Sequence, residues 1–241
     1  MPHKLLMATS KTSPLLAAVT GPKEQFASVW PGMLTPFLRH FARQRTLQAA
    51  LASQPVALEG ALAVVSRARH AALYARDWAV LRHDIEVDEV TTAALLHDLA
   101  ELVLWCHAPD AALQISRMRQ ERPGRRSDAA QRLVLGFSLA ELQLALVREW
   151  RLPPLLLRLM DDYNASTPRV LNVALAAAVA RHVAQGWNDA ALPDDYKAVG
   201  KLLGVAPQLA RDRVVRVAVL AARDWQWSGV IPPAAWLPLI G

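Results

Sequence analysis

Cysteine is almost missing from this chain. Cys106 is the only one in 241 residues, so no internal disulfide can form and a reducing compartment is expected. Glycine is scarce, with 10 against 16 Pro, and aromatic residues make up 6%. An all-β sandwich uses more Gly in its turns and more aromatic and β-branched residues in its strands, so that class is disfavoured. Charged residues reach only 20% while hydrophobic ones reach 53%, a balance that excludes disordered, low-complexity and collagen-like chains. No apolar run reaches membrane-spanning length, since the longest, Val173 to Ala180, is stopped by Arg181 and His182. Near the N-terminus, Leu15 to Val19 is too short for a secretory core. A soluble cytoplasmic protein without membrane contact is the expectation.

What is abundant is Ala and Leu, both strong helix formers. No segment alternates apolar and polar residues at period two and no fixed-period repeat is present, so an all-α, multi-helix bundle is expected. Residues 1–28 mix Pro, Ser, Thr, Lys and Gly without period and read as a tail or arm. Thr35-Pro36 starts a helix carried on by Phe37, Leu38, Phe41, Leu47 and Leu51. Further helices are predicted over Leu58–Leu81, Val90–Cys106, from Pro109 toward the Arg-rich stretch, and from Ser127. A capping box at Ser138 and Glu141 opens the next, and Pro153-Pro154 begins one over Leu155–Tyr163. Thr167-Pro168 starts an Ala-rich helix to Gln185, followed by helices at Asp194–Leu203 and Pro207–Trp225. One helical domain over 29–225 and a Pro/Trp-rich tail over 226–241 complete the expected organisation.

The net charge is +6 and the pI about 10.0, which favours anionic partners. The basic residues concentrate in Arg117, Arg119, Arg122, Arg125 and Arg126, around Pro123 and Gly124. Arg125 and Arg126 could grip a phosphate or an acidic partner through bidentate contacts. The plainer reading is a solvated loop, partly neutralised by Glu121 and Asp128. No aromatic residues interleave to stack bases, so nucleic acid is not the expected partner. Trp78, Trp105, Trp150 and Trp187 lie in apolar helical contexts and read as core. Trp225, Trp227 and Trp236 stand among Pro residues, in a tail that either packs back or presents a partner surface. Cys106 has no matched His and is a poor nucleophile.

The chemically loaded segment is AALLHDLAELVL, where an almost wholly apolar helix carries adjacent His97 and Asp98, with Glu101 a turn beyond His97. Buried groups of this kind need a partner or a metal. An adjacent His and Asp could ligate a divalent cation if other helices bring further ligands. On chemistry alone the favoured reading is a hydrogen-bonded pair tying helices together. A second His-Asp dipeptide, His83-Asp84, sits in a polar stretch and needs no functional reading.

This string resembles the GLLHDIG signature of the HD superfamily, and GFSLAELQLALVREWRLPP from Gly136 resembles the second signature of its HDOD group. Upstream, RHAALYARDWAVL stands where that family carries its first His-bearing helix. The resemblance is clearest over 65–165 and implies an HD-domain-like bundle. Active HD phosphohydrolases resemble one another in a metal site of a first His, the His-Asp pair, a later Asp and often further His. Here the resemblance places His70, His97 and Asp98 on such a remnant metal site. The His of the second signature falls on Leu139, which cannot ligate. The following His region falls near Asp161, Asp162 and Tyr163. The last Asp falls near Ala176 or Ala177, with Asn172 one turn away. No GYP motif occurs, which argues against an HD-GYP cyclic-dinucleotide phosphodiesterase. Only three of the expected ligands survive at matched positions, and Asp161 or Asp162 could make a fourth, which would permit one divalent transition metal but not the two of the full site. The expectation is a non-catalytic signal-transduction module that binds an unidentified protein or small signalling ligand. The alternative is a metal-dependent phosphohydrolase acting on a nucleotide or phosphodiester.

Overall fold

A computed structural model describes residue 51 and residues 53–121, 127–161 and 167–238. Arg122, Arg125, Arg126, Asp162, Tyr163 and the helix expected after Thr35 lie outside the described residues. Among those described there is no strand, and the chain is an all-α bundle. Its helices are α1 (Pro55–Leu81), α2 (Val87–Leu96), α3 (Leu99–His107), α4 (Pro109–Glu121), α5 (Ser127–Leu135), α6 (Leu139–Glu149), α7 (Pro154–Leu159), α8 (Pro168–Gln185), α9 (Leu192–Leu203) and α10 (Pro207–Ala221). The 3-10 turns Ala222–Trp227 and Pro233–Trp236 follow. No single described helix is long and apolar enough to cross a membrane.

Two compact units can be distinguished. The first holds the described residues up to Ala61 together with Leu99–Leu152, and the second holds Leu62–Asp98 and the chain from Pro153 onward. In the first unit, Ala100 and Val103 of α3 pack on Leu142 and Leu146 of α6, flanked by Phe137, Leu139 and Trp150. Gly60 lies against the Trp105 indole, so closely that an added Cβ would overlap the ring. The capping box forms as expected: Ser138 Oγ accepts from the Glu141 N–H at 3.2 Å, and the Glu141 carboxylate accepts from the Ser138 N–H at 2.8 Å.

In the second unit, α8 packs against α2, α7 and α9, and α9 packs against α10. The C-terminal part of α1 is tied in by polar contacts. Arg69 Nη1 donates to the Ala221 carbonyl at 2.6 Å, Asn172 Nδ2 to the Ala75 carbonyl at 3.1 Å, and Arg213 Nε to Asp77 at 2.6 Å. The buried positions Val64, Val65, Ala68, Ala71, Ala72, Ala75 and Trp78 recur at helical spacing. In the tail, Trp187 Nε1 donates to the Pro233 carbonyl at 2.8 Å, a packed arrangement, while Trp236 stays exposed.

Three predicted elements are corrected. Val90–Cys106 is not a continuous helix but breaks at His97-Asp98, between α2 and α3. Ala100 N–H donates to Gln143 Oε1 at 2.8 Å, so a side chain from α6 caps the start of α3. The helix expected over Leu155–Tyr163 stops at Leu159, and the one expected to Trp225 turns 3-10 after Ala221. The end of α1 is closed by His83 in the left-handed region, at φ 54°. There His83 N–H donates to the Val80 carbonyl at 3.0 Å and Asp84 N–H to the Ala79 carbonyl at 2.9 Å, the 5→2 and 6→1 bonds of a Schellman cap.

Two substitutions test this packing. Gly60→Ala should destabilise the protein by about 1–3 kcal/mol in urea denaturation, with a changed near-ultraviolet signal from the displaced Trp105. His83→Gly should stabilise it by about 1 kcal/mol in the same assay, because only Gly holds the left-handed turn without strain.

Candidate functional site

His70, His97 and Asp98 all belong to the second unit. His97 is the C-cap residue that follows α2, with φ −59° and ψ −39°, and Asp98 comes next in the break. Asp98 has both carboxylate oxygens engaged. Arg67 Nε–H donates to Oδ2 at 2.9 Å and His97 Nδ1–H donates to Oδ1 at 3.2 Å. The side chains of Arg67 and Asp98 are only 13% and 12% exposed, so the pair is largely withdrawn from water. Burial alone would push the Asp98 carboxyl up. The Arg67 guanidinium, the His97 hydrogen bond and the charge of Arg181 outweigh it and hold the group well below the usual carboxylate range.

His70 lies one turn beyond Arg67 on α1. Its Nδ1 is 2.9 Å from the Ser66 carbonyl, and because a carbonyl only accepts, Nδ1 carries the proton and Nε2 the lone pair. Nε2 is buried without a hydrogen-bond partner. Burial pushes the imidazole below its ordinary 6.5 and the neighbouring Arg69 adds to the shift, against the opposing Ser66 hydrogen bond. His70, Tyr74 and Trp78 follow one another at four-residue spacing, with ring centroids 6.5 Å and 5.8 Å apart. Tyr74 Oη, Trp78 Nε1 and Asn172 Oδ1 are also buried without hydrogen-bond partners.

The structure thus brings His97 and Asp98 together, but among the described residues no three His, Cys, Asp or Glu side chains are placed so as to hold a metal ion. Leu139 packs in the apolar cluster of the first unit. Ala176 and Ala177 are buried small residues of α8. Asp161 is half-buried after α7. The donor set therefore does not fit the metal that the HD resemblance implies. Cys106 is equally unsuited to chemistry, since burial pushes its thiol up to about 12.

Arg67 was missed by sequence reasoning, although its place three residues before His70 on one helix is a usable signal. Asp84 was missed as well. It lines a cleft of about 400 Å³ formed by residues 82–85 and 167–169. Arg169 Nε donates to Asp84 Oδ1 at 2.9 Å, and Nη1 donates to Glu86 Oε2 at 2.5 Å. Burial works against the Asp84 carboxylate, but the Glu86 N–H and Arg169 together leave it below its usual range. No local signal could have revealed this pairing across more than eighty residues of chain.

Residues 38–165 match the HDOD domain, which is more than half of the 241 residues. The chain belongs to the HDOD family. No curated protein matches it. Among solved structures, this HDOD protein is similar to a Shewanella amazonensis SB2B protein described as a "Putative phosphohydrolase", with 17% identity and a TM-score of 0.50. The likeness covers 68% of this chain and 62% of that one, and at this identity it bears on the fold.

The buried neutral His70 gives the HDOD protein a defined pH dependence. Its folded pKa lies below the unfolded 6.5, so the unfolded state takes up the proton first as pH falls. The stability from neutral His70 is fully present above pH 6.5 and is lost as pH drops from there toward the folded value. Urea denaturation from pH 8 to pH 5 should show this loss (about those limits bracket a normal His). His70→Asn should flatten the curve in part, leaving the slope contributed by His107, whose pKa burial also lowers.

Proposed function

We propose that this HDOD protein is a non-catalytic signal-transduction module that acts in the cytoplasm by binding a protein or a small signalling ligand. The observation that carries the reading is the incomplete ligand set. Among the described residues His70, His97 and Asp98 do not form a group of three placed to hold a metal ion, and the matched positions Leu139, Ala176 and Ala177 hold apolar side chains. Two-metal phosphoester hydrolysis needs enough carboxylate and imidazole ligands to clamp both the attacking and the leaving oxygen. The single Cys106 supports the assigned compartment. The partner surface is not assigned to Arg125 and Arg126, which lie outside the described residues.

A second reading, a metal-dependent phosphohydrolase acting on a nucleotide or phosphodiester, draws on the name given to the Shewanella protein and on the available lone pair of His70 Nε2. One experiment separates the two. Protein purified without chelator is analysed for transition metals and then assayed on bis(p-nitrophenyl) phosphate with added Mn²⁺. The module reading expects substoichiometric metal and no hydrolysis above the buffer rate, in the wild type and in His97→Ala alike. One tightly held metal per chain, with hydrolysis abolished by His97→Ala, overturns it.

A further inference from the structure

We infer that Arg67 is the resident counter-cation of Asp98, supplying the positive charge that the HD resemblance assigns to a metal ion. The inference rests on the non-catalytic reading and deepens it. Asp98 stands at a helix break with its side chain 12% exposed, where a carboxylate without a counter-charge is strongly disfavoured. Each of its oxygens already accepts from an N–H donor, Arg67 Nε–H at 2.9 Å and His97 Nδ1–H at 3.2 Å. A divalent cation would need lone pairs on those same oxygens and would sit beside a permanent positive charge. Arginine suits the position because its guanidinium stays ionised, is weakly hydrated and offers several donors in one plane. The arrangement is also built in locally. Arg67 and His70 are three residues apart on α1, so the stretch of helix that offers a candidate ligand also delivers the charge competing with a metal.

The chemical consequence is that the Asp of the His-Asp dipeptide is one member of a structural ion pair with Arg67 and that the fold around it is independent of metal. Removing one member of a buried pair leaves an uncompensated charge, whereas removing both costs far less. The test is thermal unfolding of the full chain, followed by circular dichroism, in EDTA and in Mn²⁺. The variants are Arg67→Met, Asp98→Asn and the double variant Arg67→Met/Asp98→Asn. The wild type should unfold at the same temperature in both buffers. Arg67→Met should lower the midpoint by about 6–12 °C, and the double variant should recover most of that loss. Should Arg67→Met fail to fold, Arg67→Lys, which keeps the charge but loses the planar donors, should fold with a smaller loss. An Arg67→Met protein as stable as wild type, or a double variant no more stable than Arg67→Met, overturns the inference. A metal-free, inactive wild type accompanied by either result sinks this inference alone. A wild type that loses stability in EDTA, regains it in Mn²⁺ and hydrolyses the phosphodiester sinks the module reading as well.

Discussion

A carboxylate withdrawn from water has to be matched by positive charge, and that requirement at Asp98 organises much of the second unit. The group sits at the break between α2 and α3, held by Arg67 from α1 and by its neighbour His97. Arg181 on α8 adds its field. Three separate stretches of chain are thereby committed to one buried charge. The rest of this unit follows the same logic on a smaller scale. Arg213 meets Asp77, Arg169 meets Asp84 and Glu86, and Arg69 reaches the carbonyl at the end of α10. Pairs of this kind contribute little when exposed and matter most when burial makes their loss costly. By that measure the Arg67–Asp98 pair outranks Arg132–Glu141, whose members are about half exposed.

The first unit depends on fit rather than charge. Its apolar cluster joins α3 to α6, and its tightest point is Gly60 under the Trp105 ring. Leu139 belongs to this packing, so the side chain at the position where the resemblance expects a ligating His contributes to a core. That substitution links the two readings of the protein, because a position used for packing is no longer available for metal chemistry.

Much of the architecture was legible in the residues. The starts of α6 and α8 were visible in Ser138 with Glu141 and in Thr167 with Pro168, because N-caps act through side chains within one turn. Helix ends were harder. His83 and Arg151 occupy left-handed positions at φ 54° and 52°, where glycine is the usual marker, so the stops after α1 and α6 carry no compositional signal. The break at His97-Asp98 was also illegible: the sequence from Val90 to Cys106 is continuously helix-forming, and the group that ends it, Gln143, lies 43 residues away from Ala100.

The site divides along the same line. Residue types and spacing were enough to determine an all-α chain, to single out His97 and Asp98 as costly groups in an apolar segment, and to place them with His70 in the HDOD pattern. The first two follow from local periodicity and from the price of burying polar atoms, both properties of the chain itself, and the place of His70 is what the resemblance implies. Only the tertiary structure decided what satisfies those groups. Arg67 rather than a third chelating residue meets Asp98, Ser66 sets the tautomer of His70, and Arg169 gives Asp84 a role. The physical reason is that a counter-charge acts over a few ångströms of space, and in most of these pairs many residues of sequence lie between the partners.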